Sequence, residues 1–62
     1  MEQLIPAGRI VPGDTLKVLT YGKVNWHYVA HTEHAGDIIR IHSGSVVLNR
    51  HQRELVTVRH GE

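Results

Sequence analysis

The sequence predicts an all-β domain of five short strands with one brief 3₁₀ turn before the last of them. Three observations predict it. Gly and Pro fall as punctuation between short apolar stretches, which is how strands and turns alternate. Within those stretches apolar residues recur with period two, the spacing of a half-buried strand. The 62 residues, 40% hydrophobic and 21% charged, have the balance of one small folded domain rather than of a disordered tail.

Each element follows from its residues. Pro6-Ala7-Gly8 and Pro12-Gly13-Asp14 frame Arg9-Ile10-Val11, and Pro followed by Gly at the centre of a turn pre-sets type II dihedrals. The first strand then runs over 15–20, with Leu16 and Val18 on one side and Thr15 and Lys17 on the other. Tyr21-Gly22-Lys23 is a loop. The second strand, 24–32, is the longest: Val24, Trp26, Tyr28 and Ala30 share one face, Asn25, His27, Val29 and His31 the other. The third strand, 38–42, forms a hairpin with the second; with Ala35 and Gly36 at its tip, His31 is expected opposite Arg40, Ala30 opposite Ile41 and Val29 opposite His42. Residues 45–50 form the fourth strand, 51–54 the 3₁₀-like turn and 55–60 the fifth strand. The expected core is Ile10, Leu16, Val18, Val24, Trp26, Tyr28, Ala30, Ile39, Ile41, Val46, Leu48, Val56 and Val58.

This order of five strands, with a long second-to-third hairpin, resembles a Src-homology-3-like (SH3-like) small barrel over residues 8–60. The chain, residues 1–62, is then one domain, with 1–7 as an N-terminal extension. The resemblance implies fold rather than function, because small barrels host many roles.

Composition excludes several classes. There is no cysteine, which removes disulfide frameworks and thiolate metal sites and fits a reducing cytoplasm. Met1-Glu2-Gln3-Leu4-Ile5-Pro6 is not a signal peptide, and the apolar runs are too short to span a bilayer. Seven basic against six acidic residues leave a formal charge of +1, far from the basic field of a dedicated nucleic-acid binder.

Six histidines are the most unusual feature. His27, His31 and His42 are expected on one outer face, but His27 and His31 stand four apart in a strand, about 13 Å at ~3.3 Å per residue, so the three cannot share one ion. His31-Thr32-Glu33-His34 lacks the helical His-Glu-x-x-His pattern of zincins. No metal site and no cofactor are therefore expected. Arg40 opposite His31 makes a local cationic cluster that strengthens between about pH 8 and 5 and would attract anions.

No nucleophile elbow, P-loop or carboxylate pair is present, so no catalytic residues are assigned and a non-enzymatic role is expected. Gly44-Ser45-Val46 is similar to the start of the glycine-serine-valine strand of the plasmid-borne type II dihydrofolate reductases. Val47, Leu48 and Asn49 replace the residues that follow it there. The similarity implies an architectural precedent for oligomers, not reductase activity.

The expected function is binding of a protein partner or of another copy of the chain, as in a small accessory protein of a phage, plasmid or bacterium. Its expected face is His27, Val29, His31, Ile38, Arg40, His42 and Val47, apolar and basic residues where a solvated face would be polar. Two alternatives are a nucleic-acid binder using Lys17, Tyr21, Lys23, Arg40, Arg50, Arg53 and Arg59, and an oligomeric barrel with a shared ligand or anion site.

Overall fold

A computed structural model describes residues 2–60. Its elements are β1 (Glu2–Pro6), a 3₁₀ turn (Ala7–Arg9), β2 (Thr15–Thr20), β3 (Lys23–Tyr28), β4 (His31–Ala35), β5 (Ile38–Ser43), β6 (Val46–His51) and β7 (Leu55–Arg59). The all-β class is observed. The strands form two antiparallel sheets, one of four strands in the order β1-β7-β2-β3 and one of three in the order β4-β5-β6. Among the described residues no helix is long and apolar enough to cross a membrane.

Seven strands replace the expected five for two local reasons. The segment expected as an extension forms β1, paired with β7 from Glu2 opposite Arg59 to Pro6 opposite Leu55; Ile5 on it packs against the core. The long second strand is divided at Val29–Ala30. There the backbone changes partners: Val29 N–H donates to the Asp14 carbonyl at 2.8 Å and the Val29 carbonyl accepts from Gly13 N–H at 3.0 Å. One residue later, Ala30 N–H donates to the His42 carbonyl at 2.8 Å. The chain thus turns a corner from one sheet into the other.

That corner reverses the expected sidedness. Val29 is fully buried, whereas Val24, Tyr28 and Ala30 are exposed and Trp26 is half-buried. Val46, at the end of its strand, is also exposed. The core is Ala7, Ile10, Leu16, Val18, Val29, Ile39, Ile41, Val56 and Val58, with Ile5 and Leu48 packed against it. On β2, β5 and β7 the inward assignments hold, because alternation follows from the extended backbone itself.

The turns explain the registers. Asp14 N–H donates to the Val11 carbonyl at 3.2 Å and Gly13 has φ 100°, the expected type II geometry. The β4–β5 tip is Gly36-Asp37 rather than Ala35-Gly36, since Ala35 pairs with Ile38. A two-residue loop of the II′ kind needs positive φ at its first position, and Gly36 supplies φ 61°. Gln52 fastens this tip, its side-chain amide donating to the Gly36 carbonyl at 2.6 Å and its backbone N–H to the Asp37 carbonyl at 2.8 Å. The hairpin is therefore shifted by two residues: His31 faces His42, and Arg40 faces Glu33. A shift of two preserves every side chain's face and changes every partner. The 3₁₀ turn expected at 51–54 is a single reverse turn closed by Glu54 N–H on the His51 carbonyl at 3.0 Å. The short 3₁₀ helix lies at Ala7–Arg9 instead.

The β2–β3 turn carries backbone strain. Tyr21 has φ 49° and is fully solvent-exposed, so it occupies the left-handed region without compensating contacts. That conformation costs a β-carbon-bearing residue about 1–2 kcal/mol and is visited more readily by Asn. Tyr21→Asn is expected to stabilise the fold by ~1 kcal/mol and raise the melting temperature by about 4–8 °C. An unchanged or lower midpoint would show that the turn relaxes in solution.

Candidate functional site

Two outward sheet faces differ in chemistry. On the four-stranded sheet the inward positions are Leu16 and Val18 of β2 and Val56 and Val58 of β7. Period two then places Thr15, Lys17 and Leu19, and Leu55, Thr57 and Arg59, on the outside. Pairing adds Tyr28, Trp26 and Val24 from β3 and Pro6, Leu4 and Glu2 from β1. Leu4 (64% exposed), Leu19 (68%), Leu55 (60%), Tyr28 (62%) and Val24 (48%) thus share one face. Leu19 and Val24 are directly opposite each other.

Arg59 ties this face together. Its guanidinium lies 3.9 Å from the Trp26 ring centroid and 3.5 Å from the Glu2 carboxylate, a cation–π contact and an ion pair on one side chain. β2 and β7 pair only at Thr15–Arg59 and Leu16–Val58 and then diverge. The divergence opens a groove of about 360 Å³ whose lining includes Leu19, Val24 and Leu55 with Lys17, Arg50 and Glu54. Arg50 Nε stands 3.8 Å from Glu54 Oε2 at its edge.

The outer face of the three-stranded sheet mixes ionisable and apolar residues. It gathers His31, Ile38, Arg40, His42 and Val47, five residues of the face expected from sequence. His27 and Val29 are not on it. His27 pairs with Leu16 on the inward side of β3 and is half-buried, and Val29 is core. Both were displaced by the corner. The His31 and His42 rings stack at 4.0 Å between centroids with 9° between planes. Glu33 Oε1 lies 2.5 Å from His42 Nε2 and 3.8 Å from His31 Nε2. Arg40 does not stand opposite His31 as expected; it faces Glu33.

The basic residues considered for nucleic acid are dispersed. Lys17 and Arg59 lie on the four-stranded sheet, Tyr21 and Lys23 at the β2–β3 turn, Arg40 on the other sheet, and Arg50 and Arg53 around the β6–β7 turn. Arg50 and Arg59 each face a glutamate. Among the described residues no side-chain hydrogen bond joins Ser43, Ser45 or Thr57 to a histidine.

Three features escaped the sequence reading. The first is the apolar outer face itself, although Leu19, out of phase with Leu16 and Val18, signalled it. The second is Glu33 between two histidines, which depends on the hairpin register. The third is Asp14, whose buried carboxylate meets His60 Nδ1 at 2.8 Å across the sheet. No protein-family model, curated protein or solved structure matches the chain.

Proposed function

We propose that the protein is a non-enzymatic association module that pairs with a second copy of itself through the outer face of its four-stranded sheet. The observation that carries this reading is the set of exposed apolar residues on that one face, Leu4, Leu19, Val24, Tyr28 and Leu55. An antiparallel sheet with a solvated face ordinarily makes that face polar. A domain this small also gains stability readily by burying surface in an oligomer. A second copy suits the face because an isologous interface meets its own chemistry, and this one carries both charge signs, Lys17, Arg50 and Arg59 with Glu2 and Glu54. The absence of cysteine supports a reducing, cytoplasmic setting. The passage of the chain between sheets at Val29–Ala30 supports reading them as two halves of an opened SH3-like barrel.

Light scattering over a tenfold concentration range tests the association. The expected result is a discrete multiple of 7.0 kDa, reduced to the single chain by Leu19→Glu combined with Leu55→Glu, which alter exposed positions only. A strict monomer at every concentration overturns self-association. If that monomer also bound an oligonucleotide with an affinity that collapses between about 50 and 200 mM salt, Lys17, Tyr21, Lys23 and Arg59 would become the working surface.

A further inference from the structure

The outer face of the other sheet is independent of the association surface and carries a second chemistry. His31 and Glu33 are two apart on β4 and therefore point the same way, and His42 of β5 stands directly opposite His31. Their three ligating atoms all lie within 4.8 Å of one another. An ion held by two imidazoles and a carboxylate sits about 2.0–2.2 Å from each donor. In a tetrahedral arrangement such donors stand ~3.4 Å apart. The observed 2.5 and 3.8 Å separations from Glu33 Oε1 to the two Nε2 atoms bracket that value.

We propose that His31, Glu33 and His42 form a binding site for a borderline divalent transition-metal ion such as zinc, with the remaining coordination open to solvent. The two histidines select the class of ion. Imidazole nitrogen suits zinc, copper and nickel, whereas magnesium and calcium require a cage of oxygens. His31 and Glu33 are about half-exposed on their side chains and His42 about a quarter. The stacked rings, 9° apart in plane, must tilt toward one another for both Nε2 lone pairs to aim at one ion, and side chains this exposed have the rotamer freedom to do so. Binding places the ring proton of each histidine on Nδ1, frees both Nε2 lone pairs and replaces the His42–Glu33 hydrogen bond. Val47 flanks His42 on its other side and lowers the local polarity. Arg40, opposite Glu33, adds a positive charge on the same face, so the site is weaker than a closed structural zinc centre.

Calorimetric titration of the full chain with zinc chloride at about pH 7.5, where ordinary imidazole is neutral, tests the proposal. The expected result is saturation at one zinc per chain, with affinity reduced at least ~10-fold in each of His31→Ala, Glu33→Gln and His42→Ala. His34→Ala, which changes a histidine opposite Ile39 on the other side of β4, is expected to bind as the unaltered chain does. Melting of each variant without metal verifies its fold. In the unaltered chain, imidazole NMR signals of His31 and His42 should shift on zinc addition while those of His51 and His60 stay in place. Absence of saturable binding up to millimolar zinc overturns the site. So does one zinc per two chains, or an affinity that is unchanged in both His31→Ala and His42→Ala.

Discussion

Ile39→Ala is expected to destabilise the protein by about 2–5 kcal/mol. Ile39 is fully buried on β5 beside Ile41, between His34 of β4 and Arg50 of β6. Truncation leaves a void there that a small core cannot close by rearrangement. A chain of this length has a total stability of about 3–9 kcal/mol, so the variant should lose a large part of it. Its melting temperature should fall by at least ~10 °C. The neighbouring Arg40→Ala lies on the exposed face and should stay within about 0.5 kcal/mol of the unaltered protein. Equal losses in the two variants would show that β5 presents its faces the other way round.

Asp14→Ala should cost about 1.5–3 kcal/mol, the usual toll for hydrogen bonds to a charged group. The carboxylate is almost wholly buried. Its Oδ2 accepts the Val11 N–H at 3.2 Å, and its Oδ1 lies 2.8 Å from His60 Nδ1. The other ring nitrogen of His60 meets the Gln3 side chain at 2.5 Å. Three parts of the four-stranded sheet therefore converge on this acid: the approach to β2, the end of β7 and β1. The same residue's carbonyl receives Val29 N–H at the corner between sheets. His60→Ala should cost less, because the Val11 bond survives it. Denaturant titrations of both variants and of the pair give the coupling, expected at about 0.5–3 kcal/mol for groups in direct contact. In Asp14→Ala the Val11 amide should also exchange faster with solvent. A variant indistinguishable from the unaltered chain would show that the carboxylate contributes no net stability.

These two residues mark the reach of sequence reading. A short alternation turns Ile39 and Ile41 inward, as it does Leu16 with Val18 and Val56 with Val58, and all six are buried. The Pro12-Gly13 turn is equally legible, since Pro fixes φ at about −65° and Gly admits the positive φ that a type II turn needs at its third position. Asp14 and His60, in contrast, meet across 46 positions, and nothing local to either announces the other. The candidate metal ligands lie between these extremes. Period two puts His31 and His42 on one face, but their pairing needs the tip to be Gly36-Asp37, which the positive φ required of the first loop residue favours.

The error at Val24, Trp26 and Tyr28 has a different origin. The alternation there is real, and those residues do share a face with Leu19 and Leu55. Counting straight through to Ala30 and His31 assumed a strand that keeps one partner, whereas the backbone leaves Asp14 at Val29 and joins His42 at Ala30. An exchange of partners is a long-range event with no local residue pattern. By itself, then, the sequence determined the all-β class, the location of most strands, the Pro-Gly turn and the inward residues of β2, β5 and β7, because these follow from the dihedral preferences and alternation of neighbouring residues. The tertiary structure decided which side the Trp26 stripe takes, which residue faces His31 and which groups surround Asp14, because those depend on hydrogen bonds between segments distant along the chain.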